Sequence, residues 1–226
     1  MALILFDLDG TLIDSEAGIV NSTQYALARL GVQSPSRAVL RTWIGPPLRA
    51  TFPLAVGNDP DTIERAVAHY RERFSDVGWR EHTVYPGIGA LIDALAARGD
   101  ALAVVTTKPE QYAEKIVCSL PFGMRFARVY AASHGSRDCE KATMIAQALL
   151  DFATDARDAV MIGDRHFDIE GARANGVRAL GVGWGFGSRD ELVAAGAEAI
   201  AADVPALHEL LRAPRAPRRN IHRQEP

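Results

Sequence analysis

Cysteine and long apolar runs are scarce in this chain of 226 residues. The two cysteines, Cys118 and Cys139, supply neither a disulfide framework nor the spacing of a metal site, which is typical of a reducing compartment and predicts a cytoplasmic protein. No apolar run approaches the ~18 residues of a membrane helix, so no membrane partner is expected. The first apolar run stops at Asp7 and has no charged residue before it, which argues against a signal peptide.

Lysine is also rare, and arginine outnumbers it 22 to 3. The lysines are Lys108, Lys115 and Lys141, and a lysine present in such a composition is a candidate for chemistry. The net charge of −3 includes a basic tail, residues 212–226, which holds five arginines and one acidic residue. The rest of the chain has 20 basic and 27 acidic residues, and this balance argues against a nucleic-acid partner.

Strand-like and helical patterns divide the chain into unequal parts. Residues 3–6 are typical of a buried strand, residues 15–81 show only helical patterns, and strands alternate with helices from there on. This alternation predicts an α/β fold with a doubly wound, mostly parallel sheet. The predicted domains are an α/β core at 1–14 and 82–211, an all-helical cap at 15–81 and a flexible tail at 212–226.

The helical insert directly follows the first strand, so it is expected to lie over the carboxyl edge of the sheet and act as a lid. Its hinges are predicted near residues 14–17 and 80–86. Inside the cap, the pattern predicts a helix from Pro35 through Trp43 and a further helical turn or two over 48–54. In the core, it predicts a helix over 169–175.

Two carboxylates stand directly behind the first strand. Asp7 and Asp9 are two residues apart, so on an extended segment their side chains point the same way. Desolvating two like charges side by side is costly unless a cation or a reacting group compensates. Gly10 then lets the chain turn. The pair is therefore expected at the carboxyl end of the strand, where open α/β sheets bind their ligands.

Residues 7–11, DLDGT, resemble the first motif of the haloacid dehalogenase superfamily of aspartate-nucleophile phosphohydrolases. The resemblance implies a Rossmann-like core, Asp7 as the nucleophile on phosphorus and Asp9 as the general acid/base. It also implies that a metal ion takes one Asp7 oxygen and the Asp9 backbone carbonyl. Segments 11–15, 44–48 and 183–188 look like the phosphoglycolate phosphatase-like branch, which has a helical cap.

Polar residues also follow the second core strand, in 104–109, VVTTKP. A hydroxyl and free backbone N–H groups past a strand end can hold phosphate oxygens. The segment resembles the family's second motif, which implies that Thr106 binds the phosphoryl group. Thr107, Lys108 and Gly10 are further substrate-binding candidates.

Lys141 begins a predicted helix. Its place resembles the family's third motif, a single lysine that neutralises the charges of the nucleophile and the phosphate. Lys108 is the competing candidate, and it is expected to face the site entrance because it directly follows the phosphate-binding turn.

Residues 160–168, VMIGDRHFD, form an apolar strand that ends in Gly-Asp, with a second Asp four residues on. Hard oxygen ligands beside an anionic substrate suit Mg²⁺. The segment resembles the family's fourth motif, which makes Asp164 a metal ligand, while Asp168 holds metal-bound water or orients Lys141. A single histidine makes no zinc site, so His166 is interpreted as a satisfied polar residue.

Together the motifs predict a Mg²⁺-dependent phosphomonoesterase that acts on a small phosphorylated metabolite through an aspartyl-phosphate. A phosphomutase of the same superfamily and a 5'-nucleotidase stay open as alternatives. A phospho-aspartate switch or binding module is the non-enzymatic alternative, and a dehalogenase is disfavoured because its family members lack the acid at the position of Asp9. The expected partner is a small phosphate ester, and the chain is expected to be a monomer or homodimer.

The core motifs hold only the phosphoryl group, so the organic part of the substrate must be recognised elsewhere. A stiff apolar cap loop with two prolines, residues 44–48, is placed to shape the leaving-group pocket. Ile44, Leu48 and Arg49 are therefore predicted to select among phosphate esters.

Overall fold

The computed structural model describes residues 1–132 and 141–212. The predicted tail beyond residue 212 lies outside the described residues. Cys139 also lies outside them. No described helix has the length and apolar character to cross a membrane.

Six parallel strands form the main sheet, in the spatial order β5-β4-β1-β6-β7-β8. A separate antiparallel pair, β2 and β3, forms a second small sheet. The strands are β1 (Leu3–Phe6), β2 (Ile13–Asp14), β3 (Thr83–Val84), β4 (Ala101–Pro109), β5 (Arg128–Ala132), β6 (Ala159–Gly163), β7 (Arg178–Val182) and β8 (Ala199–Ala201).

Helices cover both faces of the main sheet, as the predicted doubly wound fold requires. They are α1 (Glu16–Arg29), α2 (Arg37–Arg41), α3 (Leu48–Thr51), α4 (Pro53–Val56), α5 (Pro60–Asp76), α6 (Ile88–Ala97), α7 (Glu110–Ser119), α8 (Lys141–Asp151), α9 (His166–Ala174), α10 (Arg189–Ala195) and α11 (Val204–Arg212). Strand β1 is apolar at every position and fully buried, because its alternate side chains enter two different cores. The α/β fold class is confirmed.

One core contains side chains of α6, α7 and α11, and the other contains side chains of α8, α9 and α10. The central strands β1, β4 and β6 lie between the two cores, so their carboxyl ends are held rigidly at one edge of the sheet. Asp7, Lys108 and Asp164 all follow or end these three strands.

Helices α1 to α5 share a third apolar cluster, and residues 15–81 contain no strand, as predicted. The cluster is rich in aromatic rings: Trp43 and Phe52 meet edge to face, and Tyr70 stacks on Phe74 with centroids 5.4 Å apart. Tyr112 of the core helix α7 packs against Phe74. The cap cluster therefore extends onto the core beside the end of β4.

Three helix boundaries differ from the prediction. Helix α2 ends at Arg41 rather than Trp43, and the helical turns predicted over 48–54 are two short helices that extend to Val56. Pro53 divides them, because proline has no N–H to continue the first helix and is favoured at the start of the second. Helix α9 begins at His166, three residues early, where the Asp168 carboxylate accepts the Arg165 backbone N–H at 3.0 Å.

The small β2–β3 sheet is an element that the sequence pattern missed. Ile13 pairs with Val84 and Asp14 with Thr83, at the two places where the chain passes between the core and the helical insert. Strands of two residues carry no detectable alternation, so periodicity cannot reveal them. The pairing ties the two predicted hinge segments to each other.

Candidate active site

Asp7 and Lys141 form the centre of a buried cluster. The Lys141 ammonium donates to Asp7 Oδ1 at 2.6 Å and to the Val105 carbonyl at 2.7 Å, and it lies 2.6 Å from Asp168 Oδ1. Helix α8 brings Lys141 to this position from 134 residues away in sequence. Lys141 thus contacts two of the acids that the motifs single out, and its pairing with Asp168 matches one of the two predicted roles of that residue.

The buried charges shift one another's titration. Burial raises the pKa of Asp7 to about 7 even though Lys141 lowers it, and the charges of Asp168 and Asp9 raise it too. Burial alone would lower the pKa of Lys141, but the two neighbouring carboxylates hold it above its ordinary value. The lysine therefore stays charged at neutral pH.

Asp164 is completely buried beside this pair. Its Oδ1 accepts the Thr11 hydroxyl at 3.3 Å and its Oδ2 accepts the Phe186 backbone N–H at 2.7 Å. Burial, followed by the charges of Asp7 and Asp168, raises the pKa of Asp164 to about 8.

Gly10 turns with a φ of +84°, and a Cβ there would collide with the Asp164 carboxylate. Its N–H donates to the Ile13 carbonyl at 2.8 Å. The structure thus gives Gly10 a packing role, while its predicted contact with substrate stays a prediction.

The cluster fits a divalent cation. Asp7, Asp164 and Asp168 offer carboxylate oxygens that lie within 4.8 Å of one another, and all three residues are buried. Three buried carboxylates face one lysine, so the site is short of positive charge. Burial first, and then the charges of the neighbouring carboxylates, raise the pKa values of Asp7 and Asp164. An all-oxygen donor set is the kind that Mg²⁺ prefers.

Asp9 is paired with a different lysine from the one that binds Asp7 and Asp168. Lys108 donates from its ammonium to both Asp9 carboxylate oxygens, at 2.8 and 2.9 Å. The Lys108 side chain is only 5% exposed. The two predicted carboxylates are therefore held by different lysines, so they do not share one counter-ion, and the Asp9 side chain is not part of the metal-binding set.

Thr106 and Thr107 occupy different environments. Thr106 is buried, and its hydroxyl accepts the Lys108 backbone N–H at 3.2 Å. Thr107 is exposed. Thr106 thus presents a buried hydroxyl bound to the backbone of Lys108, while binding of substrate by either threonine stays a prediction.

The three cap residues predicted to select among phosphate esters lie in different environments. Ile44 is buried in the cap cluster, and its backbone carbonyl accepts a hydrogen bond from the Arg165 side chain. Leu48 is half-buried against the same cluster. Arg49 is exposed and forms a bidentate pair with Glu64 of α5, at 2.5 and 2.8 Å, so its charge is compensated inside the cap.

A second contact between cap and core was not predicted. Arg41 donates to the Gly185 carbonyl at 3.1 Å and lies over the Phe186 ring, and Phe186 is the residue whose N–H holds Asp164. The glycines of segment 183–188 are a sequence signal that the backbone there comes close to a site. No sequence signal predicts the Arg41 contact, because an arginine at the end of a helix is common on protein surfaces.

Glu191 accepts three hydrogen bonds from Arg165 and His166, the residues that directly follow Asp164. It accepts Arg165 Nε at 2.8 Å, His166 N at 2.9 Å and His166 Nδ1 at 2.7 Å, so His166 is a satisfied polar residue, as predicted. Burial by itself would raise the pKa of Glu191, but these donors lower it to about 2. Because the folded-state value lies below the ordinary 4.5, the interaction stabilises the fold above about pH 4.5 and is lost as the pH falls toward 2.

Replacing Glu191 by glutamine is therefore expected to lower the free energy of unfolding at pH 7, by about 1 kcal/mol or less because the group is partly exposed. The difference from the unmodified protein should shrink between pH 5 and pH 3. Urea unfolding at pH 7, 4 and 3 measures this, with Glu209→Gln on the exposed face of α11 as the control. A difference that stays constant over this pH range would contradict the assignment.

Comparison with known proteins identifies the chain's relatives. A model of the haloacid dehalogenase-like hydrolase family matches residues 4–182. A 5'-nucleotidase of Pseudomonas aeruginosa is 43% identical over 208 residues, covering 92% of this chain and 94% of the relative. A phosphoglycolate phosphatase of Rhodospirillum rubrum is 30% identical over 222 residues, covering 93% and 91%. The tyrosine-protein kinase PtkA of Mycobacterium tuberculosis is 36% identical over 188 residues, covering 83% and 64%.

Solved structures agree. The crystal structure of a predicted phosphatase from Clostridium acetobutylicum superimposes with a TM-score of 0.86 and 36% identity, over 93% of this chain and 98% of that one. The chain is thus an α/β protein with an acidic site at one edge of a doubly wound sheet. It belongs to the haloacid dehalogenase-like hydrolase family, and within that family it is a phosphatase.

Proposed function

We propose that the chain is a Mg²⁺-dependent phosphomonoesterase that acts on a small phosphorylated metabolite through an aspartyl-phosphate. The observation that carries the proposal is the buried cluster in which Lys141 bridges Asp7 and Asp168 beside Asp164. A nucleophilic carboxylate needs a neighbouring cation to receive a dianionic phosphate, and Lys141 is held 2.6 Å from Asp7.

In the first half-reaction, an Asp7 oxygen attacks phosphorus in line and the bond to the leaving alcohol oxygen breaks. Asp9 gives that oxygen a proton, so the alcohol leaves neutral. In the second half-reaction, Asp9 takes a proton from water, the water oxygen attacks phosphorus, and the bond between phosphorus and Asp7 breaks. Thr106 and Lys141 are proposed to hold the equatorial phosphoryl oxygens.

Asp7 and Asp164 are proposed to hold the metal ion together with the Asp9 backbone carbonyl. When bound, Mg²⁺ supplies positive charge against the phosphoryl oxygens. The residues of the chain prepare the site for it: Thr11 and Phe186 orient Asp164, and Lys141 fixes Asp7 and Asp168.

The names of the relatives define the substrate panel that tests the proposal. It contains an aryl phosphate, phosphoglycolate, nucleoside 5'-monophosphates and sugar phosphates, because 5'-nucleotidase and phosphoglycolate phosphatase are both among those names. Release of phosphate from at least one ester, dependent on Mg²⁺, is expected. Isomerisation of a sugar phosphate without phosphate release would identify a phosphomutase instead, and no turnover of any ester would overturn the proposal. The protein is further proposed to be cytoplasmic and a monomer or homodimer.

Removing the metal is expected to stop the reaction. Chelation should abolish phosphate release, and Ca²⁺ should restore it poorly, because its coordination is looser than that of Mg²⁺. Asp164→Ala should lower activity by well over ~100-fold, the upper range for second-shell changes at metal sites. It should also remove the Mg²⁺-dependent rise in Tm, whereas Asp155→Ala, an exposed control, should change neither. Normal activity of Asp164→Ala at ordinary Mg²⁺ would contradict the assignment.

A further inference from the structure

Phe186 contacts both the metal site and the cap. Its backbone N–H donates to Asp164 Oδ2 at 2.7 Å, and Asp164 is the completely buried acid that is proposed to bind the metal ion. The Phe186 ring packs against the apolar cluster that helices α1 to α5 share. The backbone of this residue therefore belongs to the core site, while its side chain belongs to the cap.

Arg41 of the cap contacts the peptide group that carries this N–H. From the end of α2, its Nη2 donates to the Gly185 carbonyl at 3.1 Å, and its guanidinium carbon lies 5.4 Å from the centroid of the Phe186 ring. The Gly185 carbonyl and the Phe186 N–H are the two ends of one peptide group. A single peptide group thus accepts a hydrogen bond from the cap and donates one to Asp164.

The direction of this peptide group matters to Asp164. The group is planar and trans, so a contact that fixes its carbonyl also fixes its N–H. Hydrogen bonds in a chain polarise one another, so the bond from Arg41 strengthens the N–H as a donor. The segment also packs closely, because a Cβ at Gly185 would collide with the Asp164 side chain. A change in the Arg41 contact is therefore transmitted to Asp164.

A second contact links the cap to the residue that follows Asp164. The Arg165 side chain donates to the Ile44 carbonyl of the cap, while its Nε donates to Glu191 at 2.8 Å. The cap is thus hydrogen-bonded both to the residue after Asp164 and to the peptide group that binds Asp164.

We propose that Arg41 is a positioning residue that couples the cap to the metal site. While the cap lies on the core, Arg41 holds the peptide group between Gly185 and Phe186 in the direction that orients Asp164 for the metal ion. Such a coupling is reciprocal by thermodynamic necessity, so Mg²⁺ in turn stabilises the cap on the core. This inference rests on the proposed metal site and adds a cap residue that tunes it.

The test measures the affinity of Arg41→Ala for Mg²⁺ in the absence of substrate. Thermal unfolding over a range of Mg²⁺ concentrations gives a dissociation constant, because a ligand that binds only the folded protein raises its stability with concentration. We expect the dissociation constant of Arg41→Ala to be about 3- to 10-fold higher than that of the unmodified protein, the range for the loss of one hydrogen bond. Saturating Mg²⁺ should restore most of the phosphate release of this variant, which a purely structural defect would not allow.

Arg37→Ala is the matched control. Arg37 begins the same helix and pairs with the same acid as Arg41, Glu16, at 2.6 Å. In the described part of the chain it makes no hydrogen bond to Gly185 and no cation–π contact with Phe186, so its variant should bind Mg²⁺ within about twofold of the unmodified protein. Loss of a positive charge near a cation site would by itself strengthen Mg²⁺ binding, so weaker binding by Arg41→Ala cannot come from its charge.

Hydrogen exchange measures the reverse effect. Mg²⁺ should slow the exchange of the backbone amides of α2 in the unmodified protein and should have a smaller effect in Arg41→Ala.

Three results would overturn the inference: equal dissociation constants in Arg41→Ala and the unmodified protein, an equal loss of affinity in Arg37→Ala, or α2 exchange that Mg²⁺ leaves unchanged. Mg²⁺-dependent phosphate release would still support the proposed function in each of these cases. Absence of phosphate release from every ester by the unmodified protein would overturn the proposed function instead.

Discussion

Replacing Asp7 by asparagine is expected to abolish phosphate release, with a loss of at least ~10³-fold on every ester. The amide has almost the shape of the carboxylate, so the buried position is kept. It cannot attack phosphorus, however, and its pairing with the Lys141 ammonium becomes a weaker hydrogen bond. Phosphate release from an aryl ester measures the loss, and acid quenching during turnover with labelled ester measures covalent phosphate, which should be absent.

Asp9→Asn separates the two carboxylates, because it leaves the nucleophile in place. Turnover should fall strongly, since both proton transfers lose their carrier. Some covalent phosphate should still form from an aryl ester, whose leaving group needs little protonation. Asp203→Asn is the control, because asparagine can also cap helix α11, whose Ala206 N–H the Asp203 side chain accepts. Normal turnover in Asp7→Asn would refute the proposed mechanism.

Replacing Lys141 by methionine is expected to remove activity and much of the stability. The side chain is only 4% exposed, and its loss leaves Asp7 and Asp168 buried without their shared cation. Breaking a buried ion pair in this way costs about 3–5 kcal/mol. The loss should be larger at pH 7 than at pH 5, because protonation of the unpaired carboxylates relieves the penalty at lower pH.

Urea unfolding without metal at both pH values measures the effect. Lys115→Met, on the exposed face of α7, is the control and should stay within about 0.5 kcal/mol of the unmodified protein. A Lys141→Met protein as stable as the unmodified one at pH 7 would show that the ion pairs contribute nothing to the fold.

The sequence predicts the positions of the site acids well, for a simple reason. Asp7 and Asp164 each follow an apolar run of four or five residues, and parallel strands bring such ends to one edge of the sheet. Because β1 and β6 are neighbours in the sheet, the two acids that follow them lie side by side. Lys141 was assigned from its resemblance to the family's third motif, supported by the rarity of lysine in this chain.

The partners of these acids could not be predicted in the same way. Lys108 lies within a register shift in the pairing of β4 with β5, between Thr106 and Pro109, so counting residues along the strand does not give the direction of its side chain.

The two-residue strands β2 and β3 have a consequence for how this molecule can vary. They hold the two ends of segment 15–82 next to each other, so the length of this segment does not change the positions of its ends relative to the main sheet. The entropic cost of closing a loop rises only slowly with its length. A helical segment of different size and sequence could therefore be grafted between Asp14 and Thr83 while the catalytic edge keeps its geometry, provided that the contact of Arg41 with Gly185 is retained. Substrate range and phosphate chemistry can then change independently in this chain.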